Sequence, residues 1–223
     1  MNTARKEAHN EVDALGGKVH AIISNLEDKV RADPGWRYHI HVDPSRTVTA
    51  VFWQSPLQVD LAKRYSDVLL HDNSYKHVNC NYPLNTGIIL DGFNHSCNVW
   101  YCFHRNEDIE SFIWVLNCYL GNESHGDTIT PPKVFVSEQH QSVIASVRDL
   151  LPFTFHVYCL HHLEGNVDTN LRLLLGALWQ DFNRDFWQAY RAVSPDQFEA
   201  LWQHLVNQYP AAQEYLQGDL YES

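Results

Sequence analysis

A chain of 223 residues with 44% hydrophobic and 13% aromatic residues can build one sizeable core, or a core with an appendage, and its composition excludes a disordered segment. Its formal charge of −11 argues against gripping DNA by bulk electrostatics, which needs a surplus of Lys and Arg on one face, so any DNA contact is local, metal-mediated or supplied elsewhere. Five cysteines, Cys80, Cys97, Cys102, Cys118 and Cys159, form no CxxC pair, no apolar run is long enough to span a membrane, and the opening MNTARKEAHNEV lacks the apolar stretch of a secretory signal; free thiols in a soluble intracellular protein are expected.

In chain order, Val12, Leu15, Val19, Ile22, Ile23, Leu26 and Val30 recur at three- and four-residue steps and predict an amphipathic helix over Glu11–Val30. Asp33, Pro34 and Gly35 stop it. Two β-rich runs, Arg37–Val42 and Thr47–Trp53, flank Asp43, Pro44, Ser45 and Arg46 and read as a hairpin. A short helix over Gln58–Tyr65 follows.

Val68, Leu69 and Leu70 lead into Asp72, and Leu84–Leu90 and Cys97–Phe103 supply two further strands joined through Asp91, Gly92, Phe93 and Asn94. Three consecutive strands predict antiparallel pairing. The next helix begins near Glu107, with Ile109, Phe112, Ile113, Leu116 and Leu120 on one face and Gly121 beyond its end. Val134–Val136 is a short buried strand, a helix around Val143–Leu151 ends at Pro152, and Phe155–Leu160 is a fifth strand.

The remainder reads as helices over Leu171–Trp179, Phe182–Val193 and Pro195–Tyr209, the last with Ser194 as its cap and Pro195 in first place. Trp179, Phe182, Phe186, Trp187, Tyr190 and Trp202 could stack on unpaired bases, but their helical spacing favours packing in a core. Three antiparallel strands followed by two helix-linked strands is the order of a ribonuclease-H-like fold. The expected architecture is therefore α/β: a mixed five-stranded sheet with flanking helices, an N-terminal helix and β-hairpin, and a C-terminal helical segment. Residues 1–66 form the lead-in and 67–223 the core with its helices, in one compact unit.

In such a sheet the tip of the first strand and the residue just past the fourth lie side by side. Asp72 and Glu138 occupy these places. Hard cations such as Mg2+ or Mn2+ take carboxylate oxygens, and a metal pair can activate water and stabilise a leaving 3'-oxygen. Each acid also has an ordinary reading: Asp72 as a turn former before Asn73 and Ser74, Glu138 as a solvated carboxylate opening a helix.

Several ordered motifs carry a resemblance. Val68 to Asp72, Asn73, Ser74, Tyr75 and Lys76, then Tyr82, Pro83 and Leu84, resemble the first catalytic segment of Mutator-like transposases, in which an Asp precedes Thr-Tyr-Lys and a Pro-Leu pair. Glu107, Glu110, Ser111, Phe112, Trp114 and Leu116 are similar to that family's helix motif. Pro131, Pro132, Glu138, Ala145, Leu151 and Pro152 are similar to its second acidic segment, and His156, Cys159, His162 and Asn166 to its Cys-x-x-His block. Val51–Trp53 and Arg64–Val68 fit its lead-in, so the resemblance runs from about Asp33 to Tyr221.

The resemblance implies membership of the ribonuclease-H-like transposase superfamily, metal-assisted DNA strand cleavage and transfer, and a nuclear location. It assigns the metal to Asp72 and Glu138. Two departures imply an incomplete or impaired site. The family's second acid is Asp, and the extra methylene of Glu138 displaces the carboxylate by about 1.5 Å; its last acid, a Glu in a later helix, would fall beyond Tyr221. Glu199 is a substitute that its neighbours mark as a solvated helix residue, and Asp91 and Glu107 fit turn and helix-start roles. Cys159 and His162 invite zinc, but a structural site needs four ligands and no second pair is evident; a buried strand thiol and a helix-capping imidazole account for them. The alternative to a transposase catalytic domain is a domesticated, non-enzymatic module for protein interaction or regulation, touching DNA weakly or indirectly and able to self-associate, and a third possibility is a nuclease of the same fold.

Overall fold

The computed structural model describes residues 19–75, 82–122 and 128–221. The start of the helix expected over Glu11–Val30, together with Lys76 and Cys80, lies outside them. The chain divides into two compact units, Met1–Cys159 and Leu160–Ser223.

In the first unit, helix α1 covers residues 19–32, and the hairpin β1 (Arg37–Val42) and β2 (Val48–Gln54) follows. Asp43 closes the hairpin turn: its Oδ1 accepts from the Thr47 amide at 2.9 Å and the Ser45 hydroxyl at 2.6 Å, while Arg46 takes a positive φ of 65°. Helix α2 (Pro56–Arg64) starts two residues before the periodicity suggests because Ser55 and Gln58 cap each other's backbone and Pro56 is preset for a first turn.

Strands β3 (Val68–Ser74), β4 (Leu84–Leu90) and β5 (Ser96–His104) run antiparallel. Helix α3 (Ile109–Leu120) is capped by Asp108, whose carboxylate accepts from the Ser111 amide at 2.8 Å, and ends at Gly121 with φ 83°, a left-handed conformation that glycine adopts without strain. Strand β6 (Val134–Ser137), helix α4 (Gln141–Leu150) and strand β7 (Phe155–Tyr158) complete the unit.

The sheet order is β1-β2-β5-β4-β3-β6-β7, with β3, β6 and β7 parallel and the other pairs antiparallel. The sheet has seven strands, not the expected five. The hairpin, expected as an appendage, joins the sheet because β2 pairs with β5 from Ala50–His104 to Trp53–Tyr101. Alternation then sorts the residues. Leu69, His71 and Asn73 of β3 are buried on the face that meets α3, where the His71 ring lies 5.6 Å from that of Phe112, while Leu70, Asp72 and Ser74 on the other face are half-buried. Phe52, Ile89, Trp100, Tyr119 and Phe135 form the centre of the core. The Trp100 ring lies directly over Gly87, where any β-carbon would overlap it, so that strand position admits only glycine.

The second unit is helical: α5 (Leu160–Leu175), α6 (Trp179–Tyr190) and α7 (Pro195–Gln208). Helix α5 begins well before the expected Leu171, since Leu163, Val167, Leu171 and Leu175 extend one apolar stripe at four-residue steps, and this shortens β7 to Tyr158. Ser194 caps α7 by accepting from the Gln197 amide at 3.2 Å. Trp179, Phe182, Phe186 and Trp202 are buried in the core of this unit.

Candidate functional site

Strands β3 and β6 pair in parallel, Val68 with Val134, Leu69 with Phe135 and Leu70 with Val136. Asp72 lies two residues past the last of these pairs, on the face of β3 away from α3, and Glu138 directly follows the end of β6. Both are half-buried. The Ser74 hydroxyl donates to Asp72 Oδ2 at 3.1 Å. The turn at Glu138 is fixed through its carbonyl, which accepts from the His140 amide at 3.0 Å and the Ser137 hydroxyl at 2.8 Å. Ser137 Oγ also lies 2.8 Å from His156 Nε2. With its proton on the Glu138 carbonyl, Ser137 accepts from the ring, so His156 carries its hydrogen on Nε2. Burial holds the His156 pKa below its ordinary value, in keeping with a neutral ring.

A third carboxylate, set aside on sequence grounds as a helix-start residue, meets the end of β3 through Asn73 and Tyr75. Glu107 Oε1 accepts from the Tyr75 hydroxyl at 2.7 Å and from Asn73 Nδ2 at 2.8 Å. The Tyr75 pKa is pushed well above its usual value, first by burial of the hydroxyl, then by the Glu107 hydrogen bond and the negative charges of Glu107, Glu138 and Asp72. The signal available in sequence was Asn73, a polar side chain at a strand position whose alternation with Leu69 and His71 makes it face the core.

Behind Asn73 runs a buried polar chain. Trp100 Nε1 donates to Asn85 Oδ1 at 2.8 Å, and Asn85 Nδ2 donates to Asn73 Oδ1 at 2.9 Å and to His71 Nε2. His104 closes it: its Nδ1 lies 2.6 Å from the Asn106 carbonyl and Nε2 3.4 Å from Asn73 Oδ1. This chain fixes the rotamers of the residues that present Glu107 and Tyr75.

The other sequence candidates separate. Among the described residues no three His, Cys, Asp or Glu side chains come together in a way that could hold one ion. Asp91 serves its turn, accepting from the Phe93 and His95 amides, both at 2.8 Å. Cys159 closes the first unit, its amide donating to the Ser137 carbonyl at 2.6 Å, while His162 lies inside α5 and not at its cap. Glu199 is exposed on α7 in the second unit. A cleft of about 380 Å3 opens elsewhere, between the hairpin and the start of α3, lined among others by His41, Arg105, Glu110 and Trp114; neither Asp72 nor Glu138 lines it. No helix of the described residues is long and apolar enough to cross a membrane.

Comparison with known proteins gives this arrangement a lineage. The chain is similar to three Arabidopsis thaliana proteins: FAR1-RELATED SEQUENCE 4, 23% identical over 86% of this chain and 26% of that protein; FAR1-RELATED SEQUENCE 7, 22% identical over 90% and 25%; and FAR-RED IMPAIRED RESPONSE 1, 22% identical over 86% and 23%. The chain thus spans about a quarter of the length of these relatives. Residues 68–166 match the family described as the MULE transposase domain. That segment opens on the first residue of β3, takes in Asp72, Glu107 and Glu138, and closes within α5. It is over this segment, from β3 into α5, that the chain is similar to the MULE transposase domain family.

Proposed function

We propose that this chain is a transposase-derived domain of ribonuclease-H-like fold that has kept two acidic positions of the ancestral metal site and now works as a non-enzymatic interaction module. The observation that supports the ancestry is the parallel pairing of β3 with β6, Val68 with Val134 to Leu70 with Val136, after which Asp72 follows in β3 and Glu138 directly past β6. The order β5-β4-β3-β6-β7 within the sheet, three antiparallel strands followed by two helix-linked parallel ones, supports the fold assignment. Support for the loss of catalysis comes from Glu138 in place of an Asp, and from relatives named for FAR1 and a far-red response rather than for transposition. A nuclear setting and a DNA contact made weakly or indirectly by this acidic segment accord with that lineage.

Asp72 and Glu138 would hold Mg2+ or Mn2+ as two carboxylate ligands, with water filling the remaining positions, a donor set that suits a weakly bound hard cation. When bound, the ion would supply Lewis-acid polarisation of a phosphodiester. The chain's own contribution is orientation: Ser74 steadies Asp72, and the Ser137–His156 contact steadies the turn that presents Glu138. Cys159 and His162, as a zinc pair, lack such support.

Calorimetric titration with Mn2+, alongside a plasmid nicking assay, tests the reading. Weak binding that Asp72→Asn abolishes, with no strand cleavage, is the expected result. Mn2+-dependent nicking lost in Asp72→Asn would overturn it and restore the second reading, an active transposase or nuclease domain.

A further inference from the structure

On the face of the sheet that carries Asp72, a single cross-strand row links five strands. Tyr38 stands opposite Trp53, Trp53 opposite Tyr101, Tyr101 opposite Thr86, and Thr86 opposite Asp72. The rings gather at Trp53, with Tyr101 stacked at 5.6 Å between centroids and Phe103 tilted at the same 5.6 Å. Asn98 Nδ2 donates to the Tyr101 hydroxyl at 2.8 Å and fixes its direction. Tyr38, Trp53, Tyr101 and Phe103 are half-buried, Thr86 between Tyr101 and Asp72 is buried, and Phe52 and Trp100 on the opposite face are fully buried.

The half-open positions of a sheet face are ordinarily polar. This one offers aromatic faces at one end and, about 14 Å away across three strand spacings, carboxylates at the other. That distance is the reach of roughly four extended residues. The rings attract cations through their quadrupoles, and Asp72 and Glu138 attract them through charge. A nucleic-acid strand laid along the row could stack on the rings, but its phosphates would meet Asp72, Glu138 and a chain of net charge −11. A cationic strand gains at both ends.

We propose that this row is the docking site for a basic, extended peptide segment of a partner protein. One Arg or Lys stacks on the Trp53–Tyr101 pair, and a second, a few residues along, reaches Asp72 and Glu138. This inference deepens the interaction-module reading given above and rests on it, by naming the chemistry of the partner.

The test is fluorescence anisotropy on the full chain with a short labelled peptide of alternating Arg and Pro, which is extended in advance. A Glu-Pro peptide and a labelled oligothymidine serve as competing probes. The Arg-Pro peptide is expected to bind and the Glu-Pro peptide to fail. Trp53→Ala should weaken binding about tenfold, Asp72→Asn severalfold, and added salt should weaken it further. Unchanged affinity in Trp53→Ala, tighter binding of oligothymidine, or no peptide binding overturns the proposal. The rings also brace adjacent strands, so should Trp53→Ala fail to fold, a benzophenone-bearing peptide on the unaltered chain decides. Crosslinks at Tyr38, Tyr101 or Phe103 support the site, and crosslinks confined to α3 or α4 overturn it. A chain that neither nicks DNA nor binds the peptide removes this inference and leaves the interaction-module reading standing; nicking removes that reading whatever the peptide does.

Discussion

The two units bury their aromatic side chains in different company. In the second unit Trp179, Phe182, Phe186 and Trp202 pack with Leu171, Leu205 and Leu216, and the Tyr209 hydroxyl donates to Asp185 Oδ2 at 2.7 Å. In the first unit the rings of Trp100, Phe112 and Phe135 are interleaved with His71, Asn73, Asn85 and His104, and all nine buried polar residues among the described ones belong to this unit. A core held by apolar area tolerates change in proportion to volume, because dispersion and burial are not directional. A core threaded by hydrogen bonds is directional and fails at single atoms. The directional core is the one that leads outward, from Trp100 through Asn85 and Asn73, to Glu107 and Tyr75 at the rim.

The largest expected effect lies in the apolar core. Phe182→Ala removes a fully buried ring that touches Trp179, Phe186 and Tyr209, and chemical denaturation should record a loss of about 3–5 kcal/mol. A loss near zero would mean that the helical stripe is not a core. The next effect is smaller in volume but sharper in mechanism. Asn85→Ala strands the indole N–H of Trp100 and takes a donor from Asn73 and His71, and should cost about 2–3 kcal/mol. It should also loosen the Glu107–Tyr75 pair at the rim, visible as a fall of the Tyr75 pKa toward its ordinary value in a spectrophotometric titration. If Tyr75 titrates unchanged in a folded Asn85→Ala protein, the polar chain does not act as one unit.

How much of this could be read beforehand follows the same division. The second unit's core was legible because a stripe such as Phe182, Phe186 and Ala189 needs only helical periodicity, although the start of α5 was missed where His161 and His162 interrupt the apolar pattern. In the first unit, strand positions were close, and β4 matches its expected span of Leu84–Leu90. The pairing of β2 with β5 was not legible, since hairpin signals such as Asp43 and Pro44 fix a turn but not the neighbour that the outer strand chooses. Sequence marks Asp72 and Glu138 as strand-end residues, whereas β3 runs on past Asp72 to Ser74 and Glu138 directly follows β6. Glu107 reads in sequence as a helix-start residue, because its approach to Tyr75 depends on how the loop after β5 is placed, a tertiary fact with no local signature. The aromatic row was hidden for the same reason: Tyr38, Trp53 and Tyr101 are far apart in sequence and meet only through register.

Mild acid should sharpen the comparison most gently. Burial lowers the pKa of His104 below its ordinary value, against smaller opposing effects from its hydrogen bond to the Asn106 carbonyl and the charges of Glu107 and Asp108. Burial likewise lowers that of His156. Both histidines belong to the first unit. A histidine whose folded pKa is depressed binds its proton more readily in the unfolded chain, so the stability it confers is complete above about pH 6.5 and declines as pH falls below that value toward the folded pKa. Replacing His104 with Gln, which keeps a polar group at the site without a titrating ring, should flatten part of that decline. Denaturation midpoints taken at neutral pH and at stepwise lower values, for the parent chain and His104→Gln, measure it. Equal slopes in the two proteins would place the acid sensitivity elsewhere, and a stability that rises on acidification would show that the surrounding carboxylates, Glu107 and Asp108 foremost, outweigh the cost of burying a charged ring.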